Sequence, residues 1–217
     1  MFHMPSYVLI LAGVMVAGAA FAVILYLSEK RRTAWMRQAA EELRFTFLPK
    51  GDADTLFSGF QLFSQGKRKR VLNLMQGVAN RLEVRIFDYS YDVAGRKGTD
   101  APRQTVITFR SPDLNLPSFS LRPKNVLDKI GAILGHQDIA FVDRPIFTKA
   151  YLLRGTNESA VRELFDDRAL SFFEEQPGLS TEGSGFELLF YRANNLVPPE
   201  QIRAFLEEGF RVLDLFR

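Results

Sequence analysis

Few side chains in this sequence are equipped for bond-making chemistry. There is no cysteine, which removes disulfides, thiolate metal sites and cysteine nucleophiles together. The two histidines are His3 and His136. His136 follows Gly135 at the end of an expected helix, where an imidazole satisfies orphan carbonyls more readily than it serves as a base. No G-x-S-x-G, no phosphate-binding Gly-rich loop and no G-x-G-x-x-G after a strand occurs. Asp52 and Asp54 do not continue into a calcium loop. The doublets Asp166-Asp167, Glu174-Glu175 and Glu207-Glu208 fall on expected helices, where adjacent side chains diverge. No catalytic residue, metal site or cofactor is expected.

Two polar clusters remain. Lys67-Arg68-Lys69-Arg70 is the densest charge run, at an expected hairpin tip. It reads as a solvated turn or as a contact for anionic headgroups. No nucleic-acid-binding signature accompanies it, so nucleic acid is not an expected partner. The second cluster is Phe87-Asp88-Tyr89-Ser90-Tyr91 with Gln104. Strand alternation puts Asp88 on the face of Val84 and Ile86, which is buried, and a buried carboxylate needs a partner. Arg110 and Arg122 are the expected ones. Asp88, Tyr89, Tyr91, Gln104, Arg110 and Arg122 thus form either a polar network that pins strand register or a pocket. A hydrolase on Asp88 and Asp92 would need a carboxylate separation that spacing in the chain does not give.

The elements that must position these residues are α+β in texture. Leu82–Tyr91 is the clearest strand, with Leu82, Val84 and Ile86 on one face and Glu83 and Arg85 on the other. Phe57–Ser64, Arg70–Gln76, Gln104–Arg110 and Leu116–Arg122 are further strands. The prolines of the last suggest a sheet edge. Gly77–Asn80 reads as a turn. Asn125 opens a helix that ends at Gly135. Residues 45–135 then make a strand-rich half closed by a helix, PH-like by analogy only. In residues 136–217, Ile139–Val142 and Phe147–Arg154 read as strands. Asn157 caps a helix broken near Asp166-Asp167, Leu179–Arg192 is a hairpin about Gly183-Ser184-Gly185, and a last amphipathic helix follows Pro198. One continuous domain over both halves is an equal reading.

Ahead of all this stands Tyr7–Leu27, which carries no charge. About 20 apolar residues suffice for an α-helix to cross the roughly 30 Å hydrocarbon layer of a bilayer. Residues 1–28 are therefore expected to be a transmembrane helix, and residues 29–44 a juxtamembrane one. Ala20-Phe21-Ala22 resembles a signal-cleavage site, but no Lys or Arg precedes the apolar run, which also continues past it. Lys30, Arg31 and Arg32 follow the span, so the positive-inside rule puts the N-terminus outside and the bulk in the cytoplasm. Residues 28–135 hold 19 Lys/Arg against 11 Asp/Glu, whereas residues 136–217 hold 9 against 14. The basic half is the one next to the span. Lys30, Arg31, Arg32 and Lys67–Arg70 are accordingly expected at the membrane surface.

The stretches Phe87–Tyr91, Gln104-Thr105-Val106 and Leu116-Pro117-Ser118-Phe119-Ser120-Leu121-Arg122-Pro123 also resemble a family of uncharacterised bacterial membrane proteins with a single N-terminal span. The resemblance implies a bacterial inner-membrane location and brings no activity with it. The expected function is a non-enzymatic, membrane-tethered interaction or accessory module with the bilayer and a protein as partners. The alternative is a module that binds or acts on membrane lipid.

Overall fold

The computed structural model describes residues 6–52, 59–96, 98–124 and 137–217, with side chains from Val14 onward. The first helix, α1 (Ser6–Glu42), joins the expected membrane and juxtamembrane helices into one rod. From Val14 to Leu27 nearly every apolar side chain is exposed, whichever way it points. These 14 residues span about 21 Å at 1.5 Å per residue. Among the described residues no helix is long and apolar enough to cross a membrane. Further along the rod, Met36 and Ala40 are fully buried against the sheet.

Among the described residues that sheet has nine strands, all paired antiparallel. In chain order they are β1 (Thr46–Gly51), β2 (Lys67–Ala79), β3 (Leu82–Asp92), β4 (Arg103–Arg110), β5 (Leu116–Pro123), β6 (Gln137–Ile139), β7 (Tyr151–Gly155), β8 (Leu179–Gly185) and β9 (Glu187–Arg192). Their spatial order is β1-β2-β3-β4-β9-β8-β5-β7-β6. Strands from the two halves of the chain therefore alternate, with β4 on β9 and β5 between β8 and β7. The expected closing helix, with Asn125 and His136, lies outside the described residues, whereas the strand expected at Phe57–Ser64 is described from Gly59 onward and forms a one-turn helix at Gln61–Ser64 instead.

Period-two alternation gives the sheet two buried faces. Val84, Ile86, Ile107, Phe109, Leu188 and Phe190 belong to the larger core. Over it pack α1 and the helices α4 (Glu158–Leu164), α5 (Asp167–Glu175) and α6 (Ile202–Asp214). Gly209 of α6 permits this approach, since a Cβ there would sit 3.1 Å from Ile107 and Phe109. On the opposite face Val71, Phe87, Tyr89, Tyr91, Val106, Leu189 and Tyr191 meet Phe60, Leu62 and Phe63 at the one-turn helix α2 (Gln61–Ser64).

Several expectations change in physical detail. β1 was not foreseen because Pro49 reads as a breaker. It lies on an edge strand, across from the bulge at Asn73, where no ladder donor is needed. β5 is interior rather than an edge, because Pro117 falls in the irregular pairing between Leu116 and Phe119. Pro145 at the first position of α3 (Pro145–Ala150) makes a helical turn where a strand from Phe147 was expected. The β2–β3 turn is Asn80-Arg81, both at positive φ. Asn157 caps α4 through Ala160 N–H, and Asp166 caps α5 through Ala169 N–H, so the helix does break there.

Candidate functional site

The centre of the polar architecture is Asp88, on the α1 face of β3. Its partner is neither Arg110 nor Arg122 but Arg32 of α1. The guanidinium grips both carboxylate oxygens, Nε to Oδ2 and Nη2 to Oδ1, at 2.7 Å each. Such a bidentate fork fixes orientation as well as distance. Arg32 also donates to the Val197 carbonyl at 3.0 Å and to Thr105 Oγ1 at 3.2 Å. Thr105 donates to Asp88 at 2.9 Å and accepts from Val197 N–H at 3.0 Å. Asn73 donates to Asp88 at 2.8 Å. Asn73 reaches it because β2 carries a bulge there, with φ +54°, which turns a side chain into the face it would otherwise miss. Arg32 was expected at the lipid surface. It is instead a lock between α1, β3, β4 and the segment before α6.

Arg122 belongs to a second network, on the opposite face. It donates to Glu182 at 2.6 Å, and both are almost fully buried. Glu182 also accepts the N–H groups of Gln61 and Leu62, the free donors at the start of α2. Tyr91 donates to Gln65 at 2.8 Å. Burial holds the Tyr89 phenol well above its ordinary pKa, and raises Tyr91 against the opposing pull of Arg122. Gln104 accepts from Asn194 N–H. Tyr89, Tyr91, Gln104 and Arg122 thus share one face, Asp88 occupies the other, and Arg110 is exposed, 3.8 Å from Glu187.

Asp88 and Asp92 are four residues apart on β3, so their backbones are about 13 Å apart. Asp92 faces Arg68 at 3.1 Å and Arg70 at 3.5 Å. The basic run is therefore the first part of β2, not a hairpin tip, and Lys67 pairs with Asp92. A bulge with Arg68 at φ +50° turns that guanidinium toward the carboxylate.

These contacts locate the run relative to α1. Arg32 meets Asp88, and Glu29 meets Arg103 at 3.2 Å, where Arg103 pairs with Ser90. Asp92 and Lys67 lie two residues beyond Ser90, about 7 Å further in the direction in which α1 runs out toward its N-terminus. The sheet end carrying Lys67–Arg70 is thus the end from which the exposed apolar part of α1 emerges. Arg96 and Arg103 line a polar groove there of about 590 Å³ with Asp100 and Asn194. These two arginines are not legible in the sequence as part of that end, because nothing along the chain ties the 92–103 loop to it. Lys30 and Arg31 are exposed on α1. Among the described residues no group of three or more His, Asp or Glu could hold a metal ion.

No protein-family model matches the chain, and no curated protein matches it. Among solved structures, its fold is similar to that of the mycobacterial trehalose monomycolate transport factor A, TtfA, with a TM-score of 0.60 over 87% of this chain and 91% of that one, at 18% sequence identity.

Proposed function

We propose that this chain is a non-enzymatic accessory protein of the bacterial inner membrane, which presents the basic end of its sheet to anionic lipid. The observation that carries the reading is the common end shared by Lys67–Arg70, Arg96, Arg103 and the emerging apolar helix. A helix apolar on all sides needs lipid or protein around it. Counted from the sequence, the uncharged stretch Tyr7–Leu27 has 21 residues, about 32 Å if helical throughout and close to the hydrocarbon thickness, seven more than the Val14–Leu27 part whose side chains the structure describes. The N-terminus is then outside and the sheet in the cytoplasm, where the anionic leaflet attracts each nearby Lys or Arg by about 1 kcal/mol. The transport factor of similar fold is named for trehalose monomycolate, which favours a lipid-related accessory role over a purely protein-binding one. A protein partner on the cytoplasmic side is part of the proposal.

Because the chain has no cysteine, topology is open to a clean test. Ser6→Cys and Lys149→Cys are expressed separately and exposed to a membrane-impermeant maleimide. Labelling of position 6 alone in intact spheroplasts, and of both after lysis, is the expected result. Labelling of position 149 in intact spheroplasts overturns the orientation, and recovery in the soluble fraction overturns the membrane location.

A further inference from the structure

The start of β2 departs from regular strand geometry. Lys67 pairs with Asp92 and Arg70 with Ser90, so three steps along β2 face two along β3. The extra residue makes a bulge, and Arg68 sits at φ +50°, a conformation strained for any residue with a side chain. Such strain persists where the surroundings over-determine it, and ligand clamps are one such place. Gly66, at φ +64°, lets the preceding turn close on β3, since a Cβ there would lie 2.5 Å from the Asp92 carbonyl oxygen. In a regular strand Lys69 would point away from Arg68 and Arg70. Here all three line one hollow of about 460 Å³ with Asp92 and Gly98. We propose that this hollow binds a phosphate monoester group, held by Lys69 and by the guanidinium groups of Arg68 and Arg70. The inference rests on the lipid-facing reading of this sheet end and names the ligand chemistry within it.

Three observations favour this ligand. First, Lys69 is half-buried and makes no ion pair or hydrogen bond among the described residues. A cation partly withdrawn from water lacks the counter-charge that burial demands. Asp92 does not supply it, being engaged by Arg68 at 3.1 Å and Arg70 at 3.5 Å. Second, the two arginines are placed in advance. Asp92 is buried on β3 and draws Arg68 by Nε and Arg70 by one Nη. A guanidinium has further N–H donors, so each keeps some beyond those turned to Asp92. Side chains already gathered lose less freedom on binding. Third, the charge matches a dianion. Three cations and one carboxylate leave the lining at a net +2. A phosphate monoester carries about −1.5 to −2 at neutral pH, whereas a diester or a carboxylate carries a single charge. Its oxygens also suit the two-point geometry of guanidinium donors. The volume is in the roughly 300–1,000 Å³ range of small-ligand sites. A lipid headgroup and a soluble phosphate share this chemistry.

Calorimetric titration of the full chain in a neutral detergent tests this. The probes are short-chain phosphatidic acid, a phosphate monoester, short-chain phosphatidylglycerol, a diester, and inorganic phosphate. One more ligand charge beside a cation corresponds to about fivefold in affinity. Phosphatidic acid is therefore expected to bind about fivefold tighter than phosphatidylglycerol. Inorganic phosphate binding as tightly as phosphatidic acid identifies free phosphate as the source, and weaker binding identifies the lipid. Lys69→Gln removes the preference at an unchanged melting temperature, since Lys69 has no contact to lose, and Lys69→Arg retains most of it. Lys67→Gln, at an exposed residue outside the hollow, changes it by less than about twofold. Equal affinity for the two lipids overturns the proposal. So does a loss with Lys67→Gln as large as with Lys69→Gln, because the attraction is then diffuse. Either failure leaves the maleimide result for the membrane reading untouched. A chain recovered in the soluble fraction with its phosphate preference intact loses that reading alone.

Discussion

Two buried arginine–carboxylate pairs lie on opposite faces of one sheet, and they differ in what they hold. Arg122 and Glu182 both belong to the sheet, on β5 and β8, and the carboxylate reaches out only to the first turn of α2. Arg32 and Asp88 come from elements 56 residues apart, and the arginine belongs to a helix whose other half is exposed apolar surface. Buried ion pairs are weak sources of net stability, since desolvation consumes most of the attraction. Their use is geometric, and the two faces show two geometries. One pair pins a local turn. The other sets how the whole sheet hangs from α1. Solvent separates them too: Arg32 is 16% exposed at its side chain, and Arg122 is 7%.

Breaking the drier pair has the largest expected effect. Glu182→Ala strands the Arg122 charge and two backbone donors, at a cost of about 3–5 kcal/mol in urea unfolding of the detergent-solubilised chain. A loss under about 1 kcal/mol would show that water enters this face. Arg32→Met comes next, at about 3 kcal/mol, because partial exposure lets water reach Asp88. It also loosens α1, so the fluorescence anisotropy of Trp35 falls. Glu182→Ala leaves that anisotropy unchanged, and a fall in both variants would erase the distinction between the two faces. The double change Arg68→Gln with Arg70→Gln costs about 1–2 kcal/mol, since those guanidinium groups are largely exposed but the Asp92 carboxylate they leave is buried. It does weaken the salt-sensitive attraction to anionic vesicles, read by vesicle co-sedimentation of the detergent-diluted chain. The smallest effect near neutral pH is that of the buried tyrosines. Burial pushes Tyr151 up to about 12 and holds Tyr89 and Tyr191 higher still. A phenol that ionises later in the folded chain than in the unfolded one contributes fully below about pH 10. That contribution is lost as pH rises from about 10 through 12. Parallel records of tyrosinate absorbance and ellipticity check this. Unfolding below pH 9 would contradict it.

Part of this was legible along the chain. The alternation in Leu82–Tyr91 places Asp88 on a buried face, and burial demands a counter-charge. The identity of that counter-charge was missed, although its signal was present. Arg32, Met36 and Ala40 recur at four-residue spacing on one helix face, and the latter two are core residues. Reading Lys30-Arg31-Arg32 as a single block hid the fact that one of the three points inward. Charge alternation also could not show that Lys67 begins a strand, since two bulges, at Arg68 and Asn73, interrupt the period of β2. The pairing of β4 with β9 and of β5 with β7 and β8 joins distant stretches, and no local pattern encodes such register. Arg96 and Arg103 join the basic end only through those pairings. The apolar stretch itself was plain in composition, but its coupling to the sheet was not.

The central claim is that the Lys67 end of the sheet meets lipid and the opposite end does not. Strand β2 offers both ends on one element, with Lys67 and the exposed Val78 11 residues, roughly 36 Å, apart. Nitroxide labels at Lys67→Cys and Val78→Cys, in the full chain reconstituted in anionic vesicles, can be ranked in depth by their collision rates with oxygen and with a polar nickel complex. The account predicts a label at 67 at the headgroup level, shielded from nickel, and a label at 78 as open to nickel as in bulk water. Equal nickel access at both positions, or deeper burial at 78, would contradict it.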